Sequence, residues 1–202
     1  SVTVDIAATA LKAGETSSVT FTFNEAPQGF ALGDIASAQG SFSGLTATAN
    51  PLVWTATFTP NTNIEDTATV TVTAGSYTDV AGNLGTAGSD TTLVDTQGPA
   101  APTLALSTDS GVSGSDKITN DGTLTVSGTE TGALVEYSTN GTDWSSSFTP
   151  AQGSNTVYVR QTDTAGNVSP ASPALTFTYD TTAPSVTVDI AATALKAGET
   201  SS

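Results

Sequence analysis

The segment Leu93-Val94-Asp95-Thr96-Gln97-Gly98-Pro99 and its counterpart Thr178-Tyr179-Asp180-Thr181-Thr182-Ala183-Pro184 decide how this chain divides. In each, an alternating run that reads as a strand ends on Asp-Thr, and a proline soon after forces the backbone out of that strand. Each therefore reads as a seam between two folded units. One carboxylate, Asp95 or Asp180, stands at each seam.

Upstream of the first seam, short runs alternate apolar and polar residues with the period of two expected of half-buried strands. They are Ser1 to Ile6, Ser18 to Phe23 with Val19, Phe21 and Phe23 on one face, Phe30 to Ile35, Phe42 to Thr48, Val53 to Phe58, Ala68 to Val72 and Leu93-Val94. Gly, Asn, Asp and Pro punctuate them as turns. Downstream the scheme returns in fewer residues: Pro102 to Leu106, Gly122 to Val126, Ala133 to Tyr137, an Asn140-Gly141 turn leading to Trp144, Thr156 to Arg160, and Leu175 to Tyr179. Asn-Gly between alternating runs is a hairpin signal. Thr- and Val-rich strands at this spacing, with no helical period, predict an all-β chain of two tandem immunoglobulin-like Greek-key β-sandwiches arranged end to end, residues 1–98 and 99–184. Trp54 and Trp144 are expected in the two cores.

Residues 185–202 repeat residues 1–18 letter for letter, SVTVDIAATALKAGETSS. An unchanged repeat predicts a tandem array whose unit contains two domains. Residues 185–202 then read as the first strand and turn of a following copy, too short for a core of their own.

The chain carries 4 Lys+Arg against 19 Asp+Glu, a formal net charge of −15. That balance disfavours nucleic acid and anionic membranes as partners and favours cations. It has no Cys, His or Met, which excludes disulfides, thiolate chemistry, zinc-type sites and His-dependent catalysis. No apolar run of about 18 residues predicts membrane insertion. Carboxylate pairs of the kind used in glycoside hydrolysis remain the one catalytic alternative. Here they fall at a seam where no deep cleft is expected, so the chain reads as no enzyme. Oxygen donors without nitrogen or sulfur ligands suit Ca2+.

Two further pieces occur in both units. Tyr77-Thr78-Asp79-Val80-Ala81-Gly82-Asn83 matches Gln161-Thr162-Asp163-Thr164-Ala165-Gly166-Asn167 before the last strand, and a glutamate, Glu25 or Glu130, follows the second strand. In a Greek-key sandwich both turns lie at the end where the domain begins. The spacing therefore predicts that Asp95, Glu130 and Asp163 converge at the first seam, with Asn167 in support. Asp180 is expected to meet the Glu25, Asp79 and Asn83 equivalents of a following copy. Clustered carboxylates repel unless a divalent cation lies among them, and backbone carbonyls and water would complete the coordination of calcium. A second acidic loop, Asp109 to Asp116 with Asp121 downstream, is expected at the far end of the second domain, as a metal site or as a solvated turn.

At these residues the sequence resembles the bacterial immunoglobulin-like tandem repeats of giant type I-secreted, biofilm-associated surface adhesins. The first domain resembles one subtype through Leu11 to Thr16, Thr20 to Ala26, Tyr77 to Asn83 and Val94-Asp95-Thr96. The second resembles another through Asp109-Ser110-Gly111, Val135 to Gly141, Val157 to Asp163 and Ala165-Gly166-Asn167. The resemblance implies an extracellular stalk on the bacterial cell surface, stiffened by calcium at its linkers, that spaces an adhesive tip from the cell. Its partners would be the adjacent repeat domains of the same chain. Gln97-Gly98, where the second seam has Thr182-Ala183, predicts a looser first joint. Two other functions stay open: a glycan- or protein-binding module using Tyr137 and Asp143-Trp144, and self-association into filaments by strand addition.

Overall fold

Val2–Ile6 (β1) buries Val2, Val4 and Ile6 and exposes Thr3 and Asp5, the alternation that its sequence dictates. The computed structural model describes residues 1–189 and 196–198. After β1 the chain continues through Ala10–Lys12 (β2), Ser17–Phe23 (β3), Ile35–Ala36 (β4), Gly40–Ala47 (β5), Val53–Pro60 (β6), Glu65–Val72 (β7) and Gly88–Asp95 (β8). Two four-stranded sheets result, β1-β3-β6-β5 and β2-β8-β7-β4. Their facing sides contribute Val19, Phe21, Ala56 and Phe58 from one sheet and Ala68, Val70, Val72 and Val94 from the other to a single apolar cluster. Phe30 joins it through edge-to-face contacts with Phe21, Phe23, Trp54 and Tyr77.

The β1–β2 connection moves the chain from one sheet to the other. β2 then pairs in parallel with β8, Leu11 beside Val94 and Lys12 beside Asp95. This short strand was not apparent in the sequence, because three residues show no periodicity. It delivers Lys12 and Ala13 to the seam.

The second domain comprises Thr103–Leu106 (β9), Ile118–Thr119 (β10), Leu124–Ser127 (β11), Leu134–Ser138 (β12), Gly153–Thr162 (β13) and Leu175–Tyr179 (β14). The sheet β10-β14-β13-β12 faces the two-stranded sheet β11-β9. Its cluster is smaller, Val157, Leu175 and Phe177, flanked by half-buried Leu104, Leu106, Leu124, Tyr137, Phe148 and Tyr179. β10 repeats the parallel pairing of β2, with Thr119 beside Tyr179.

Two expectations are corrected. Phe30 to Ile35 is not a strand: Leu32–Asp34 form a 3-10 turn, in which the Asp34 carboxylate accepts the Ala31 N–H at 2.8 Å, so that Phe30 and Ile35 both reach the core. Trp54 packs against the first core, but Trp144 lies outside the second cluster. Its ring is covered by the Arg160 guanidinium at 4.4 Å, and Arg160 pairs with Glu136 at 2.8 Å. Residues 185–189 form no strand, with Val186 and Val188 exposed, because they lack the neighbour that β3 provides to β1. The remainder of that expected strand and turn, apart from 196–198, lies outside the described residues.

Two unconnected cores predict two unfolding transitions. The second domain, with three buried apolar side chains in its cluster against sixteen in the first, is expected to unfold at lower urea concentration. Phe58→Ala should cost about 3–5 kcal/mol and move only the first domain's transition. Urea titration followed by Trp fluorescence in Trp54→Phe and Trp144→Phe backgrounds separates the two.

Candidate functional site at the interdomain joint

The turn that leaves β13 is built by Asp163. Its Oδ1 accepts the N–H groups of Gly166 at 2.7 Å and Asn167 at 2.8 Å, and its Oδ2 accepts from Asn167 Nδ2 at 2.9 Å. Gly166 has φ +93, a conformation that side chains other than glycine rarely adopt. The turn holds its own shape and aims the Asn167 side chain at the first domain. There Asn167 Nδ2 donates to the Asp95 carbonyl at 3.0 Å and lies 3.3 Å from Asp95 Oδ1, while its Oδ1 accepts the Ala13 N–H at 2.9 Å. Asn167 is 4% exposed, so one amide is buried between two domains with partners on both.

Each side of the joint is fastened to its own domain. Thr96, buried, donates its hydroxyl to the Asn61 carbonyl at 2.8 Å and its N–H to the Ile64 carbonyl at 2.7 Å, and its Oγ1 accepts the Ile64 N–H at 3.1 Å. Asp95 Oδ1 accepts the Gln97 N–H at 3.1 Å, turning the chain into the linker. On the second domain, Gln161 is 0% exposed. Its Nε2 donates to the carbonyls of Ala100 at 2.8 Å and Gly128 at 3.0 Å, and its Oε1 accepts the Glu130 N–H at 2.8 Å. Sequence reasoning missed Gln161 as an anchor, since Tyr77 stands at its counterpart and packs as a core aromatic. Beside the amide, Lys12 lies along Gly166, where an added Cβ would come within 3.1 Å of its Nζ. An open cleft of about 730 Å³ follows, lined by Lys12, Glu15, Glu65, Asp95, Thr164 and Ala165 among others.

The expected residues are only partly assembled. Asp95, Asp163 and Asn167 meet at the joint. Glu130 is at the same end through its backbone, but its carboxylate is exposed, and no three acidic side chains among the described residues form a group able to hold a metal ion. The predicted three-carboxylate cluster is therefore absent, because the turn after β11 directs the Glu130 N–H, not its side chain, inward. At the opposite end of the first domain, Asp79 and Asn83 form the same turn, with Asn83 Nδ2 on Asp79 Oδ2 at 2.7 Å, and exposed Glu25 lies 3.4 Å from Asn24 Nδ2. At the far end of the second domain, Asp180 accepts from Gln152 Nε2 at 2.6 Å. Asp109 and Asp116 accept the backbone N–H groups of Lys117 at 2.8 Å and Ile118 at 3.0 Å, next to the short strand β10, and Asp109 Oδ1 is buried with no partner among the described residues.

These bonds set the acidities. At Asp163, burial opposes ionisation, but the Asn167 side chain and the N–H groups of Asn167, Gly166 and Ala165 outweigh it and hold the carboxyl below its usual range. The Asn83 side chain and backbone do the same for Asp79, and the Thr182 N–H with Gln152 for Asp180.

Two β-sandwiches of immunoglobulin type, joined through a buried polar contact, define a tandem Ig-like module. The chain belongs to the bacterial Ig-like domain family, which it matches twice, over residues 1–96 and over residues 97–181. Such domains are non-catalytic and as a class extracellular surface modules, and among the described residues no helix is long and apolar enough to cross a membrane. A search of curated proteins finds no match. Among solved structures the chain is similar to the fibronectin(III)-like modules of Clostridium thermocellum CbhA, with 14% identity over 89% of this chain and 94% of that one and a TM-score of 0.36. It is also similar to the Yersinia pseudotuberculosis adhesin InvE (14%, 89% and 58%, TM-score 0.33) and to murine CEACAM1b (13%, 89% and 100%, TM-score 0.36). Likeness at this level carries no argument about function.

Replacing Asn167 by Ala leaves the Ala13 N–H and the Asp95 carbonyl without their partner and should cost about 1–3 kcal/mol. Gln161→Leu strands three backbone groups and should cost about 2 kcal/mol or more, read as a lower urea midpoint for the second domain. The lowered pKa of Asp163 fixes a pH response. Its stabilisation is complete above the unfolded value of about 3.9 and is lost as pH falls through the lower folded value. A urea midpoint measured from pH 6 down to pH 2 should therefore drop below about pH 4, and less steeply in Asp163→Asn.

Proposed function

We propose that this chain is a spacer segment in the stalk of a repetitive bacterial surface adhesin, whose two sandwiches are held end to end. The observation that carries this reading is the buried Asn167 amide, bonded at once to Asp163 of its own domain and to Ala13 and Asp95 of the other. A flexible linker would leave those groups to water. Membership of the bacterial Ig-like family, twice in tandem, supports a surface module. A glycan platform gains no support at Trp144, since Arg160 occupies a face of its ring.

Calcium enters the proposal in a limited form. Asp95 O, Asp95 Oδ1 and Asp163 Oδ2, oxygens from both domains, surround the Asn167 nitrogen at 3.0, 3.3 and 2.9 Å, although that nitrogen has only two protons to give. Calcium needs six to eight oxygens, and Glu130 is not with them, so the residues present fit the ion in part. Asp95 and Asp163 would hold it, with solvent completing the shell. The amide bonds link the two domains directly, and the ion would add to them.

Small-angle scattering should give a maximum dimension near the summed lengths of the two domains, shortened or broadened in Asn167→Ala. A compact or broadly distributed wild-type chain overturns the spacer reading. Calcium should raise the thermal midpoint with a dissociation constant on the order of 0.1–1 mM, and Asp95→Ala with Asp163→Ala should abolish that rise. A midpoint indifferent to calcium removes the ion from the proposal and leaves the spacer.

A further inference from the structure

Both halves of the joint occur twice among the described residues, and only one pair is engaged there. The first half is the turn after β7 and β13. In Asp79–Asn83 and Asp163–Asn167 the Asp N–H donates to the Asn carbonyl at 3.1 and 3.0 Å, and the Gly N–H to the Asp carbonyl at 3.1 and 3.2 Å. The Asn N–H donates to Asp Oδ1 at 2.9 and 2.8 Å, and Asn Nδ2 to Asp Oδ2 at 2.7 and 2.9 Å. Gly82 and Gly166 share φ values of +87 and +93. The second half is the end of β8 and of β14, where Asp95 Oδ1 accepts the Gln97 N–H at 3.1 Å and Asp180 Oδ1 the Thr182 N–H at 2.9 Å. Each of these strands runs beside a short parallel strand, β2 or β10.

The unengaged halves face opposite ends of the molecule. Asn83 is exposed, its Oδ1 accepts no hydrogen bond among the described residues, and Val80 and Leu84 beside it are 82% and 72% exposed. Asp180 is exposed as well. We infer that the Asp79–Asn83 turn is a second socket, and that its occupant is the Asp180 strand end of another copy of this two-domain unit, Asn83 Nδ2 donating to the Asp180 carbonyl. This rests on the spacer reading.

The sequence names the occupant. Residues 185–202, directly after Asp180 to Pro184, repeat the beginning of the domain that carries Asn83. The linker fits the same path: Ala183 stands where the first seam has Gly98, Gly98 is not at positive φ, and a Cβ there would meet the Val168 carbonyl at an ordinary 3.6 Å. Because a chain of net charge −15 repels its like, the contact is one within a chain, where the linker supplies a high effective concentration. Being head-to-tail it repeats from unit to unit, and unless its rotation closes a ring successive contacts extend a line. The second joint is the weaker: by register Asn120 and Asp121 replace Lys12 and Ala13, and the Asp121 N–H is already bonded to Thr119 Oγ1 at 3.0 Å.

The test uses the full chain preceded by one further unit of residues 1–184, with Asn83→Ala placed in either the first or the second copy. Limited proteolysis of the middle linker should be roughly five- to tenfold faster in the second-copy variant than in wild type, and unchanged in the first-copy variant, which controls for the turn itself. Scattering should show broadening in the second-copy variant alone. Equal behaviour of the two variants, with an extended wild type, overturns the socket and leaves the spacer reading intact. A wild type that is not extended overturns both.

Discussion

A polar group taken out of water between two domains must be bonded on both sides, or the contact costs more than it contributes. Asn167 meets that condition. A side-chain amide offers donors and an acceptor in one plane, so it can take the Ala13 N–H, the Asp95 carbonyl and its own turn's Asp163 together. A carboxylate in its place could accept the N–H but would face two further oxygens. The choice of Asn is therefore what places a hydrogen-bond donor between two acidic seam residues.

The sheet topology makes that meeting possible. Because the first strand segment switches sheets and β2 lies parallel to β8, Ala13 emerges next to Asp95. Because β13 ends at the beginning of its own domain, its turn faces the same place. Gln161 fastens linker residue Ala100 to β13's neighbourhood from below, so neither partner can drift. The joint is thus a product of two Greek-key ends, with the linker itself contributing direction and little bonding.

Electrostatics set the surroundings. With 19 acidic groups and 4 basic ones, the chain favours elongated arrangements in which its charges stay apart. Lys12, one of those four cations, lies against Gly166 beside the cleft that Glu15, Glu65 and Asp95 line. Donors around Asp163, Asp79 and Asp180 favour their ionised forms, so these turns tighten as the molecule becomes more negative.

Period-two alternation and proline-marked seams were enough to read two β-sandwiches, most of their strands, and the end of each domain at which Asp79, Asp163, Glu25 and Glu130 lie. Those features are local: they depend on which face of a strand is apolar and where a turn residue stops it. The sequence by itself thus determined the architecture, the repeat and the placing of the turns. Only the tertiary structure decided which atoms meet. It brought Asn167 to Asp95 and Ala13 across 72 and 154 residues, left the Glu130 carboxylate in solvent, placed Trp144 under Arg160, and made β2 and β10 strands at all. Side-chain direction at a turn, and pairing between distant short segments, follow from packing that no local pattern encodes.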